Sequence, residues 1–149
     1  MASIHREILL AAGPEAVWDV VRDVGAVHTR FAPGFVTDTV MEEGARVVSF
    51  ANGFVAREVI VDVDEGARRL AYSARSERIA HHNASFQVFA EGSGSRLVWI
   101  ADVLPDEAAL TVGAMMDAGV EAASAALGRL AAAATHRQRP NFGPIVSAE

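Results

Sequence analysis

A period of two in the apolar and polar residues governs the middle of this chain, and a helical period governs both flanks. Ser3–Ala11 reads as a strand, with Ile4, Ile8 and Leu10 on one parity. Gly13-Pro14 then starts a helix, because proline at the first helical position gives up no needed hydrogen bond. Val17, Val20, Val21 and Val24 form its apolar stripe, Glu15, Asp19, Arg22 and Asp23 lie across from it, and Gly25 ends it. A second short piece, Ala26–Phe31, runs into Ala32-Pro33-Gly34. Six β-branched runs follow: Val36–Glu42, Arg46–Ala51, Phe54–Val63, Arg68–Arg75, His81–Ala90 and Arg96–Val103. Asn52-Gly53 is the clearest hairpin signal among their turns, since both residues tolerate positive φ. Short turns force an antiparallel meander, and the opening strand makes it seven-stranded.

The last pattern is the longest. Pro105-Asp106-Glu107 opens a helix with Asp106 as N-cap, running to about Ala134. Its inner stripe reads Val112, Met115, Met116, Gly119, Ala122, Ala123, Ala126, Leu127 and Leu130. Gly119 on that stripe has two readings: room for a ligand, or close approach of helix to sheet. A twisted seven-stranded sheet curls, and one long helix across its concave face closes it around a cavity. The expected fold is therefore α+β, with residues 1–134 as a single domain and 135–149 as a loosely ordered tail.

Composition narrows the chemistry. The 149 residues hold no cysteine, which excludes disulfides, thiolate metal sites and thiol nucleophiles. They hold no lysine either, so a Schiff base or a P-loop lysine is excluded. A net charge of −6 opposes binding to nucleic acid or an anionic membrane. No apolar run approaches the ~20 residues of a membrane span, and no signal pattern opens the chain, so a cytoplasmic location is expected.

Among the strand residues, Ala84, Phe86 and Val88 set the inward parity of their run, which turns His82 inward and His81 outward. An inward histidine can hold or move a proton near neutral pH, or merely sit hydrogen-bonded in a wall. Tyr72 shares parity with Leu70 and Ala74 and faces the cavity, where its phenol could orient a ligand carbonyl. Alternation lets either Arg57 or Glu58 face inward. Asp102 lies on the outward parity, opposite Leu97, Trp99, Ala101 and Val103. Asp23, His28 and Arg30, around the short helices, read as solvated surface. No metal-ligand spacing, catalytic serine order, phosphate loop or dinucleotide fingerprint is present, and no metal or cofactor is expected.

The chain resembles the START/Bet v 1-like (SRPBCC) superfamily, the polyketide cyclase/dehydrase and lipid-transport group of bacterial and other proteins. The residues that carry the likeness are Ala12-Gly13-Pro14-Glu15-Ala16-Val17-Trp18, Val21–Gly25, Arg57–Asp64, Arg68–Ser73, Ser95–Trp99 and the terminal helix. The resemblance implies a helix-grip fold and an apolar cavity. It places Glu58 on a cavity glutamate, where a buried carboxylate would be poorly solvated and suited to acid–base work. It also allows Asp102 to face inward through a bulge.

The expected activity is binding of a hydrophobic, polyketide-, aromatic- or steroid-like small molecule, with cofactor-free cyclisation or dehydration as its catalytic form. A non-catalytic carrier or sensor is the alternative. His82 and Glu58 are the candidate acid and base. Tyr72, Phe86, Asp102, Val112, Met115, Met116, Gly119, Ala122 and Ala123 are the candidate ligand contacts. The chain is expected to be a monomer or a weak homodimer.

Overall fold

The structure, a computed structural model, describes residues 1–137, with side chains through residue 130. Strands form where apolar and polar residues alternate: β1 (Ala2–Leu10), β2 (Val36–Glu42), β3 (Ala45–Phe50), β4 (Val55–Asp64), β5 (Arg69–Arg75), β6 (His81–Glu91) and β7 (Gly94–Leu104). Helix α1 spans Pro14–Val21, and α2 spans Ala108–Arg137. The seven strands make one antiparallel sheet in the order β1-β7-β6-β5-β4-β3-β2. β1 joins the far end of the meander by pairing with β7 along its whole length, from Ala2 opposite Val103 to Leu10 opposite Ser95. The core lies between the sheet, α1 and α2, with Val17, Leu70, Leu97, Val103, Ala123 and Leu127 almost fully enclosed.

Local differences from the sequence reading have physical causes. The Ala26–Phe31 piece is a single π-helical turn, Val27–Phe31, closed by the Ala32 N–H on the Val27 carbonyl. The hairpin at Asn52-Gly53 is wider than a two-residue turn. Its backbone bond runs from Phe50 N–H to Phe54 C=O, and the Asn52 side chain accepts from the Phe54 N–H. Gly53, at φ +87°, takes the left-handed position that closes it. Helix α2 begins three residues after Pro105, because residues 105–107 form a preceding turn. The Asp106 carboxylate lies 2.8 Å from the N-terminal ammonium. α2 runs on through Arg137, past the end expected near Ala134, and the rest of the expected tail, from residue 138, lies outside the described residues.

Trp18 of α1 and Arg22, the residue that caps its end, both donate to Glu65, in the β4–β5 turn. This fixes α1 over one end of the sheet. Arg6 of β1 donates to Asp117 of α2 at 2.6 Å. The helix is thereby held along the β1 edge, while the side nearer β3 and β4 is where a cavity opens.

Candidate functional site: a polar row in an apolar cavity

Strand register brings the polar groups into one row. β3 and β4 pair with Arg46 opposite Glu58, and β4 and β5 pair with Glu58 opposite Ala74. Side chains directly opposed on one face lie ~5 Å apart at Cβ, within reach of each other. Arg46 Nε donates to Glu58 Oε1 at 2.7 Å, and both residues are buried, at 4% and 8% exposure. Arg46 Nη1 also donates to the Val24 carbonyl, at 3.2 Å, which anchors the pair to the chain following α1. The guanidinium carbon stands 5.3 Å from the Tyr72 ring centre. A buried pair of this kind loses hydration on both partners, and removing one alone strands the other at a cost of ~3–5 kcal/mol.

The row continues on β6. The β5–β6 pairing stops at Tyr72 opposite Ala84. Two residues further, the Ala74 N–H donates to His82 Nδ1 at 3.0 Å, and the Ser73 hydroxyl donates to the His82 carbonyl. The imidazole thus takes the place of a strand carbonyl where the two strands part. A ring nitrogen that accepts carries no proton, so the neutral His82 ring holds its proton on Nε2. Burial holds its pKa below the usual histidine range, and the neighbouring His81 acts in the same direction. His82 is therefore a neutral hydrogen-bond donor at pH 7.

Tyr72 lies between these two ends of the row. Its hydroxyl accepts from Trp99 Nε1 at 3.0 Å, which leaves its own proton free for another acceptor. Burial above all, and then the charge of Glu58, push its pKa up, so it remains a phenol. The Tyr72 ring stacks on Phe86, and Phe86 stacks on Trp99 with centroids 4.6 Å apart. This stack fixes the direction of the phenol.

Two chambers meet at this point, and Phe35, Phe50, Glu58, Tyr72 and Trp99 line both. The chamber beside α1, about 60 Å³, is walled by residues such as Val20, Val21, Phe31 and Leu70 and contains Arg46. The chamber under the start of α2, about 80 Å³, is walled by Val112, Met115 and Met116 and contains His82. An apolar cavity of roughly 150 Å³ admits benzene. Each chamber alone is smaller than that, and the two share five wall residues.

Of the candidate residues, His82, Glu58, Tyr72, Val112, Met115 and Met116 line the second chamber, and Phe86 and Gly119 line the first. Three others do not line either. Asp102 lies on the outward parity between Ser3 and Asn83, because β7 pairs on both sides without the bulge that would have turned it inward. Ala122 and Ala123 lie past the chambers, where Ala123 is fully buried. Gly119 marks the change. A Cβ there would stand 2.9 Å from the Trp99 ring, so the glycine permits close approach of the indole. Asp23 lines the first chamber while its carboxylate accepts from Arg30 at 2.8 Å. Among the described residues, no three of His, Asp and Glu converge to share a metal ion, and no helix is long and apolar enough to cross a membrane.

Arg46, Phe35 and Phe50 were not singled out by the sequence reading, and Trp99 only as an inward position. A signal for Arg46 existed. It shares parity with Val48 and Phe50, and it is as far before Asn52 as Glu58 is after it, so the hairpin pairs the two.

A curled antiparallel sheet closed by one long helix over an internal cavity is the helix-grip architecture of START/Bet v 1-like proteins. Residues 1–135 match the family described as polyketide cyclase / dehydrase and lipid transport, and the chain belongs to that family. No curated protein matches the sequence. Among solved structures, one from Thermobifida fusca is 26% identical, aligning 89% of this chain with 95% of that one at a TM-score of 0.72. A START superfamily protein of Mycobacterium smegmatis is 13% identical over 86% of this chain and 98% of that one, with a TM-score of 0.69. The di-domain ARO/CYC BexL from the BE-7585A biosynthetic pathway is 19% identical over 87% of this chain and 46% of that one, with a TM-score of 0.67.

Proposed function

We propose that this protein takes a small, flat, oxygen-bearing aromatic molecule of polyketide type into the space formed by these adjacent chambers and acts on it by proton transfer without a cofactor. One observation carries the reading. A charged pair, Arg46 and Glu58, is buried in a mostly apolar cavity with Glu58 Oε2 and Arg46 Nη2 making no hydrogen bond among the described residues. Taking charge out of water costs free energy, and hydrogen-bond capacity left open toward the cavity is available for a partner to fill. A ligand with polar atoms at that position would fill it. In the catalytic form, His82 Nε2–H polarises a carbonyl, Tyr72 orients it, and the free Glu58 oxygen receives a proton.

A carrier reading is favoured by a different observation. Glu58 is tied to Arg46, and His82 is tied to the Ala74 N–H, so each group is already committed through one atom to the wall. Such groups orient a ligand well and exchange protons less freely. One experiment separates the readings. The protein is incubated with a panel of aromatic phenols, ketones and 1,3-dicarbonyls, with melting followed by fluorescence and recovered compounds by mass spectrometry. Stabilisation with a changed product supports catalysis, and stabilisation with unchanged compound supports a carrier. No shift with any compound up to its solubility limit overturns both.

A further inference from the structure

The chambers are too small for an aromatic ligand as they stand. They measure about 60 and 80 Å³, and a single ring needs roughly 150 Å³. The nearest route to that volume is to merge them, and merging requires a residue of their shared wall to move. That wall consists of Phe35, Phe50, Glu58, Tyr72 and Trp99. Four of the five are held. Glu58 is paired with Arg46, and the Tyr72 hydroxyl accepts from the Trp99 indole. The Tyr72 and Trp99 rings both stack on Phe86. Phe50 lies between two rings, with centroids 5.2 Å from Phe35 and 5.9 Å from Phe54. Phe35 is only half-buried, and its side chain has no atom that a hydrogen bond could anchor.

Phe35 also has somewhere to go. Outside the chambers an open groove of about 640 Å³ runs between the β3–β4 hairpin and the first half of α2, where Ala51, Leu110, Ala114, Met115 and Ala118 line it together with Phe35. Of the five shared wall residues, Phe35 alone borders this groove. Met115 borders the groove and the second chamber but not the first, so its movement would not merge them. The backbone of Phe35 is clamped. Its carbonyl accepts from the Ala51 N–H, and the next N–H, that of Val36, donates to the Ala32 carbonyl, both at 2.9 Å. Motion is left to the side-chain torsions, which turn between staggered positions without breaking a hydrogen bond. In the inner position Phe35 Cε1 stands 3.3 Å from the place a Cβ would take on Gly119. In the outer position the groove would cover the ring, with Leu110, 83% exposed, at its lip, so the turn bares little apolar surface.

We infer, on the binding reading above, that Phe35 is a swinging wall. Turned in, it keeps the chambers divided and closed. A ligand binds by turning it out into the groove, and its side chain thereby sets how large a ligand the cavity takes. The second chamber has another neighbour, a polar cleft beside the β5–β6 connection, and Ala74, Arg75, Ser76, Ile79 and His82 border both. None of the cleft's residues borders the first chamber, and a ring passing through it would meet Arg75, Glu77 and His81. The groove is the route that suits an apolar ligand.

The probe is 2-naphthol, whose two fused rings are too large for either chamber. In the free full chain, nuclear Overhauser contacts should join the Phe35 ring to the Gly119 α-protons. At saturation with 2-naphthol these should vanish, and contacts from the ring to the Ala114 and Ala118 methyls should replace them. Association, followed by stopped-flow tryptophan fluorescence, should be at least about tenfold faster in Phe35→Ala, because no ring has to leave before the ligand enters. Phe35→Leu covers the case in which the alanine variant does not fold, and it should be several-fold faster. Phe54→Ala trims the same aromatic cluster away from the groove and should change the rate by less than about threefold. Persistence of the Gly119 contacts in the saturated complex, as entry by the polar cleft would give, overturns the swing. So does an unchanged rate in the folded Phe35 variants, or an equal acceleration in Phe54→Ala. Binding of 2-naphthol to neither wild type nor Phe35→Ala also overturns it, and the wider aromatic panel then decides the binding reading on its own.

Discussion

The two halves of α2 lie against the same sheet and do opposite things. Before Gly119 the helix presents Val112, Met115 and Met116, and behind them lies open volume shared with His82, Glu58 and Tyr72. After Gly119 it presents Ala123, Ala126 and Leu127, and these are enclosed in the core. The residues after Gly119 are therefore packed, and the large flexible ones before it border the open space. Alanine lets helix and sheet meet and fill the gap with backbone, whereas methionine bridges a gap without filling it. The Trp99 indole fixes the boundary, filling the site beside Gly119 and donating to Tyr72.

The largest effect that would break this contrast is a truncation on each side. Leu127→Ala removes a fully buried side chain and should cost ~2–5 kcal/mol, because the packed half cannot collapse around the hole. Met115→Ala removes a half-buried side chain that already faces open volume on one side. It should cost about 1 kcal/mol or less, since few partner atoms are lost. Urea unfolding of both variants measures the difference. Equal losses would mean that the chamber under the methionines is packed like the rest of the core.

Added bulk tests the same contrast at smaller scale. Ala123→Leu forces a larger side chain into a filled site and should cost ~1–3 kcal/mol. Val112→Leu extends into the second chamber and should change stability by less than about 1 kcal/mol while weakening any bound ligand. Chemical denaturation paired with ligand titration reads both quantities. Similar stability losses in the two variants would put a packed core on both sides of Gly119.

The sequence made one side of this comparison easier to read than the other. Element order, the strand runs and the inward parity of His82 and Tyr72 are written in local alternation, which the sheet must obey once one face is buried. The ends of elements were less legible. Asp106 could serve as an N-cap in isolation, yet its carboxylate went to the N-terminal ammonium, more than a hundred residues away in the chain. Glu58 could be placed inward only by resemblance, because valines on both sides hid the parity of that run. Its partner Arg46 became visible only when the hairpin was folded about Asn52. Gly119 illustrates the deepest limit. Its two readings differ only in what stands opposite, and Trp99 comes from a strand whose distance from the helix no local pattern records.

The smallest expected effect sharpens the chamber side alone, through the titration of His82. Burial lowers its folded pKa below the ordinary value of 6.5, with His81 contributing in the same direction. Between the folded value and 6.5 the unfolded chain therefore binds more protons than the native one. By linkage, the stability from a neutral His82 is fully present above about pH 6.5 and falls as pH drops through that window. The slope from one such group is at most about 1.4 kcal/mol per pH unit, and it levels off below the folded pKa. Protonation would also set an Nδ1–H against the Ala74 N–H, which now donates to that nitrogen. Asn in place of His82 can still accept from Ala74 but does not titrate, so His82→Asn should flatten the curve between pH 7.5 and 5. The carboxylates act at lower pH. Asp19 is held below its usual pKa by the Arg30 hydrogen bond, and Glu65 by the Trp18 indole. Their stability is present above about pH 4.5 and lost only below it, outside the histidine window. Glu58, Tyr72 and Arg75 line the same chamber as His82, so the quantity to measure is the difference between wild type and variant at each pH. A difference that stays constant from pH 7.5 to 5 would mean that the imidazole stays accessible to solvent, and the second chamber would then be an open cleft.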